Sequence, residues 1–268
     1  MILINLKKYL FLLVSLSCTF FAEGQRARLF STDAELTSSL IGDIYQDHQG
    51  IIWIATQDGI NRYDGAKFTA YNQQNDGILH NYVRTIFEDR RHHLFFGFFN
   101  GLQKYDHATD TFSTVPLLLE NEGEFAAHVL SMIERQDRTV LIGTSGHGLF
   151  SLTWENDQPV ARQRTDLVPS YLTNYLFEDD RQNLWVATQD QGLFRVDQRG
   201  RRKNYFGPSS GLGNNITSIC QDESGTVFIN FSKFSSSVKK FYGVSPKDFA
   251  AQRFAEQRFA AQRSDTQP

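Results

Sequence analysis

Ile44-Tyr-Gln-Asp-His-Gln-Gly-Ile-Ile-Trp-Ile-Ala-Thr-Gln-Asp-Gly-Ile-Asn-Arg-Tyr63 decides the fold, because the chain repeats it. It returns as Ile86-Phe-Glu-Asp89 with Leu94-Phe-Phe-Gly-Phe-Phe-Asn-Gly-Leu-Gln-Lys-Tyr105. A third copy is Ile133-Glu-Arg-Gln-Asp137 with Val140-Leu-Ile-Gly-Thr-Ser-Gly-His-Gly-Leu-Phe150. The fourth is Leu176-Phe-Glu-Asp-Asp-Arg-Gln-Asn-Leu-Trp-Val-Ala-Thr-Gln-Asp-Gln-Gly-Leu-Phe194, and a fifth begins at Ile216 and breaks off after Ile229. The matching glycines Gly59, Gly101, Gly148 and Gly192 are 42, 47 and 44 residues apart. Periods of that size belong to solenoids, propellers and arrays.

Within one copy, short β-rich runs alternate with turn chemistry. In the first, Ile41–Gln46 predicts a strand and Asp47–Gly50 a turn, with Gly50 free to take positive φ. Ile51–Thr56 is nearly continuously apolar, which predicts a strand buried on both faces. Gln57-Asp58-Gly59 turns the chain into Ile60–Tyr63, and Asp64-Gly65 makes a hairpin into Lys67–Tyr71. Four antiparallel strands per repeat describe a propeller blade. A helical solenoid is excluded, since apolar residues do not recur at i, i+3, i+4. The expected fold is all-β: a partial β-propeller of four full blades and part of a fifth, with a short helical C-terminal tail. Such a set leaves sheet edges that favour a homodimer.

The pattern Asp47…Gly50-Ile-Ile-Trp53-Ile-Ala-Thr56…Gly59-Ile60, with Asp179…Leu184-Trp185-Val-Ala-Thr188…Gly192-Leu193, resembles the two-component regulator propeller repeat. The resemblance covers residues 27–229. The second copy departs from it with Phe95 for Trp, and the third with Leu141. It implies the periplasmic sensor half of a hybrid two-component system from a polysaccharide-degrading bacterium. In such proteins the propellers precede a membrane helix, a histidine kinase, a receiver and a DNA-binding domain.

The two ends read differently from the repeats. Residues 1–24 have the layout of an export signal: Lys7 and Lys8, an apolar Tyr9–Val14, then a small-residue zone. The apolar run is short of the roughly 20 residues that span a bilayer. With the signal removed, Cys220 is the lone cysteine, so no internal disulfide is expected. Gln25–Ser232 carries 18 basic against 26 acidic residues, a net of −8, whereas Lys233–Arg263 carries 7 against 2, a net of +5. In the basic segment, Phe234-Ser235, Val238, Lys239-Lys240, Gly243, Ser245-Pro246 and Phe249 resemble the end of an AraC-type helix-turn-helix domain. That likeness makes residues 230–249 a remnant in which Lys233, Lys239 and Lys240 stand at phosphate-contacting positions. It implies an internal join near Val227–Phe231. Residues 250–268 include a strict five-residue repeat, Phe249-Ala-Ala-Gln-Arg, Phe254-Ala-Glu-Gln-Arg, Phe259-Ala-Ala-Gln-Arg, whose phenylalanines would share no helix face.

For chemistry the repeats are sparse. Asp47, Asp89 and Asp179 recur at turns and are expected to bind turn backbone. The seven histidines are scattered, and His92-His93 has no second ligand pair at metal spacing in the chain, so neither metal nor cofactor is expected. No phosphate-binding glycine loop or nucleophile elbow occurs, and no catalytic residue is assigned. Trp53 and Trp185 sit mid-strand and are expected in the core. Ligand contacts are placed in the loops before the repeated glycine: Gln57, Asp58, Asn100 (with Phe99), Ser145, His147, Gln189 and Gln191.

The expected function is therefore a truncated sensor, not an enzyme, that is exported to the periplasm and binds an oligosaccharide. Two alternatives stand beside it. One is an AraC-type DNA-binding regulator with a propeller domain, which would be cytoplasmic and keep its N-terminal segment. The other is a standalone carbohydrate-binding propeller.

Overall fold

A computed structural model describes residues 35–119, 123–205 and 216–231. The chain separates into two units, Met1–Glu35 and Leu36–Pro268, and the strands among the described residues belong to the second. The expected export signal, the expected helix-turn-helix remnant beyond Phe231 with its three lysines, and the repetitive tail lie outside the described residues.

Each repeat folds as its own antiparallel sheet. The first comprises β1 (Ile41–Gln46), β2 (Ile52–Thr56), β3 (Gly59–Tyr63) and β4 (Phe68–Tyr71), within a residue of each strand expected from sequence. The second comprises β5 (Val83–Glu88), β6 (Leu94–Phe98), β7 (Gly101–Asp106) and β8 (Thr111–Val115). Two short strands follow, β9 (Leu117–Leu118) and β10 (Glu124–Phe125). They join the outer edge of the third sheet, β11 (His128–Glu134), β12 (Val140–Ser145), β13 (Gly148–Glu155) and β14 (Gln158–Gln163), making it six-stranded. The fourth sheet is β15 (Thr173–Glu178), β16 (Leu184–Thr188), β17 (Leu193–Val196) and β18 (Arg202–Tyr205). The fifth is a pair, β19 (Ile216–Gln221) and β20 (Val227–Phe231). Here β20 runs to Phe231, two residues past the point where the repeat motif fades.

The innermost strands stand side by side: β1 against β5, β5 against β11, β11 against β15 and β15 against β19. Every one carries a register shift at the same place, between Ile41 and Asp43, Val83 and Thr85, Val129 and Ser131, Thr173 and Tyr175, and Ile216 and Ser218. A repeated bulge of this kind twists the strand.

The core is a series of layers between blades. Trp53, Ala55 and Ile60 of the first blade meet Ile86, Phe96 and Phe98 of the second. Phe95 and Leu102 meet Val129 and Ile142; Leu141 and Leu149 meet Leu176 and Val186; Trp185 and Leu193 meet Ile216 and Ile219. Neighbouring residues of one strand thus enter different layers, Phe95 facing forward and Phe96 back. This is why the second strand of each repeat is apolar throughout. The small residue in it is set by its own blade and the next together: a Cβ on Gly97 would lie 2.7 Å from both Thr85 Cγ2 and Val129 Cγ1. The leading face of the first blade has no such neighbour among the described residues. Ile44 is 59% exposed there, while its equivalents Ile86, Met132, Leu176 and Ile219 are buried.

The turn aspartates explain the tryptophans. Asp179 Oδ1 accepts the backbone N–H of Arg181 (3.0 Å) and Asn183 (2.8 Å), while Oδ2 accepts Trp185 Nε1–H (2.8 Å). Asp47 does the same for Gln49, Ile51 and Trp53, the last at 2.7 Å. In the second blade, where Phe95 replaces Trp, the His93 ring nitrogen takes that place on Asp89 (2.8 Å). In the third, Arg135 stands in the turn position, with its N–H on Thr139 O (2.9 Å), and Leu141 stands at the Trp position. Carboxylate and indole are lost together, as a buried donor–acceptor pair requires.

A second recurrent tie crosses each junction. The N–H of the residue after the turn position is accepted by a side chain of the next blade. His48 donates to Glu88 (3.0 Å), Arg90 to Glu134 (2.6 Å), Gln136 to Glu178 (2.6 Å) and Asp180 to Gln221 (2.9 Å).

Candidate binding face

Register places the loops expected to carry ligand contacts. Ile41 pairs with Thr56, so the start of the inner strand and the end of the second lie at one end of the blade. The loops before the repeated glycine and the links between blades therefore share that end, opposite the aspartate turns. The loops are tied to the links by backbone bonds: Gln57 N to Leu40 O (3.0 Å), Gly59 N to Asn81 O (2.7 Å), Phe99 N to Tyr82 O (3.1 Å), Gly148 N to Tyr171 O (2.9 Å) and Gln189 N to Leu172 O (3.0 Å). In the first, third and fourth loops the threonine of the motif closes the loop by donating to the glycine carbonyl: Thr56 to Gly59 O, Thr144 to Gly148 O and Thr188 to Gly192 O, at 2.8–2.9 Å. Gly59 has φ +111°, and a Cβ there would lie 2.3 Å from Tyr71 O, so this position admits glycine alone.

All seven loop residues expected from sequence lie at this end, yet they differ in what they offer. Several are ties within or between loops. Asp58 accepts from Asn81 Nδ2 (3.0 Å), Gln189 donates to Asn174 Oδ1 (2.7 Å), and Gln191 donates to Pro169 O (3.2 Å). Gln57 is exposed, and Ser145 forms a single bridge to Leu172. Asn100 and His147 are different. Asn100 Oδ1 and His147 Nδ1 are buried and have no hydrogen-bond partner. His147 packs on Phe125 (ring centroids 4.1 Å apart) and lines a cavity of about 220 Å³ with Gln163, Arg164, Ser170 and Tyr171.

Residues outside the repeat motif complete the face. Tyr82 and His128 lie at the starts of the second and third inner strands and surround Phe99. The ring of Phe99 stacks 6.2 Å from Tyr82 and lies 5.1 Å from His128 and 5.5 Å from His80. Phe99 is 51% exposed, and Tyr171, at the corresponding end of the fourth blade, 62%. His128 Nε2 and Thr173 Oγ1 are also buried and unpartnered. Four of the six such atoms among the described residues thus stand at one end of three consecutive blades: those of Asn100, His128, His147 and Thr173. Burial, then Arg84 and His80, hold the His128 pKa below its ordinary value, so the ring is neutral at neutral pH. Sequence reading overlooks Tyr82, His128 and Thr173 because they precede or open the inner strand, where the repeat has no fixed pattern.

The chain is a blade-repeat propeller that presents exposed aromatic faces and unpaired polar atoms at one end of its blades. The two component regulator propeller family profile matches residues 35–58, which hold the first two strands of the first blade and the turn between them. No curated protein matches the chain. Among solved structures, the fold is similar to the extracellular domain of BT3049 from B. thetaiotaomicron, described as a putative hybrid two component system. That match has 20% identity and a TM-score of 0.64 over 77% of this chain and 29% of that one. The extracellular domain of BT4673 from the same organism matches with 18% identity and a TM-score of 0.62, over 72% and 28%. Virginiamycin B lyase from Staphylococcus aureus matches with 11% identity and a TM-score of 0.53, over 71% and 63%. The chain spans under a third of the length of the two extracellular domains. At these identities the likeness is one of fold.

Proposed function

We propose that this chain is the ligand-binding part of a sensor of the hybrid two-component kind, with a neutral oligosaccharide as its ligand. The observation that carries the reading is the group of unpartnered buried polar atoms beside Phe99, Tyr82 and Tyr171. Aromatic faces stack on the apolar faces of sugar rings, and unpaired buried acceptors and donors are costly until a ligand pairs them. Neutral imidazole and amide groups suit hydroxyls better than a charged ligand. The family profile and the fold shared with extracellular domains of hybrid systems support the sensor role. The same reading makes residues 1–24 an export signal, puts the propeller in the periplasm, and treats residues 230–249 as a DNA-binding remnant with no output of its own. Transcriptional output would then belong to a longer protein of this kind.

The test is calorimetric titration of the full chain with a panel of neutral and acidic oligosaccharides, beside Phe99→Ala and His128→Ala. Binding to a neutral member, weakened at least about 10-fold in both variants, is expected. Absence of binding across the panel, or binding indifferent to both changes, sinks the reading.

A further inference from the structure

At the other end of the blades, the first junction differs from the rest. His48 follows the first turn aspartate, Glu88 ends β5, and His92 sits in the second turn. Though 40 or more residues separate His48 from the other two, three potential ligand atoms lie within 4.8 Å of one another. His48 Nδ1 is in short contact with Glu88 Oε1, and His92 Nδ1 is 3.8 Å from that same oxygen. The two imidazoles stack, with centroids 4.2 Å apart. Sequence spacing excludes a metal pair for His92-His93; the partners come instead from across the blade junction, and His93 is engaged with Asp89.

We propose that His48, Glu88 and His92 form a binding site for a divalent zinc-class cation, separate from the oligosaccharide face. Two ligands on a tetrahedral ion, each about 2.0–2.1 Å from it, stand about 3.4 Å apart. The three ligand atoms, all within 4.8 Å of one another, stand close to that spacing. Glu88 is already positioned to ligate. Its side chain is 5% exposed, and Oε2 is held by the His48 N–H (3.0 Å) and the Tyr45 hydroxyl (3.4 Å). That leaves Oε1 toward the imidazoles, the outer-shell arrangement that orients a ligating carboxylate. His92 is 59% exposed, which gives the ion a way in and leaves a fourth position for water. Two imidazoles and one carboxylate select zinc, nickel or copper over calcium and magnesium, which want oxygen ligands. Elsewhere the same tie is answered by permanent cations: Arg138 on Glu134 (3.3 Å) and Arg135 on Glu178 (2.9 Å). The first junction alone among those described brings two imidazoles to the carboxylate. His92 stands at the positive-φ position of its turn (φ +68°), which Gly50, Arg138, Gln182 and Gly225 hold in the other blades.

The test uses the full chain without a histidine tag, stripped by chelator and titrated with Zn²⁺ by calorimetry and with Co²⁺ by visible absorption. One ion per chain is expected, with cobalt d–d bands. His92→Gly reproduces the turn of the first blade, so the metal-free variant should melt with the wild type while its affinity falls at least about 100-fold. Tyr45→Phe should weaken binding about 10-fold. A chain that takes up neither ion, or a His92→Gly variant that binds as tightly as wild type, overturns the proposal and leaves a structural ion pair.

Discussion

A double-mutant cycle on Asp179 and Trp185 probes the turn aspartates most directly. Asp179 is 4% exposed, and its carboxylate receives two backbone N–H groups, the Asn183 amide and the Trp185 indole. Hydrogen bonds to a charged acceptor contribute about 1.5–3 kcal/mol each, but the donors near the surface regain water when the carboxylate is removed. Asp179→Ala should therefore cost about 3–4 kcal/mol, with the buried indole bond supplying roughly half. Trp185→Phe removes the indole N–H and keeps much of the packing. In that background Asp179→Ala should cost less by about 1.5–2 kcal/mol, the coupling of the pair. Urea unfolding at equilibrium measures all four corners. A coupling below about 0.5 kcal/mol refutes the account, because pairs without contact already add within that margin. There is also a signature in pH. Burial pushes the Asp179 pKa up, but the bonds from Asn183, Trp185 and the turn backbone outweigh it and hold the pKa below the ordinary value. A depressed carboxylate stabilises above its unfolded pKa and loses that contribution as pH falls through the folded one. The gap between wild type and Asp179→Ala should thus be full at pH 7 and narrow only below about pH 4. The third blade already embodies the double change, with Arg135 and Leu141 in the two positions.

Two further substitutions probe the junctions. Gly97→Ala places a methyl group 2.7 Å from both Thr85 Cγ2 and Val129 Cγ1, so thermal or urea denaturation should show a loss of about 1–3 kcal/mol. An unchanged midpoint would show that the second and third blades are not packed this closely. Glu178→Ala strips the acceptor from Gln136 N–H and the partner from Arg135, which should cost about 2 kcal/mol; Glu178→Gln, which retains an acceptor, should cost less. Equal losses in the two variants would mean that the bond from the Gln136 backbone contributes little.

The repeat made the architecture legible from the amino-acid order. Strand ends in the first blade were readable to within a residue, since Asp-Gly and Gln-Asp-Gly turns and runs of alternating or continuous apolar residues act locally. The loop set from Gln57 to Gln191 was readable for the same reason: equivalent positions in a repeat occupy equivalent places in space. What no single copy records is contact between copies. Gly97 is small because of Val129 as well as its own blade's Thr85, Glu88 is aimed by His48, and Phe99 is ringed by Tyr82 and His128 from two different blades. These pairs are far apart in sequence except where a loop meets its own blade's first strand, and no propensity or spacing rule links them. Blade pattern and blade count follow from local residue order, because turns and strands form from near neighbours. Which polar atoms stay unpaired and which histidines meet follow only from the stacking of one blade's side chains against the next.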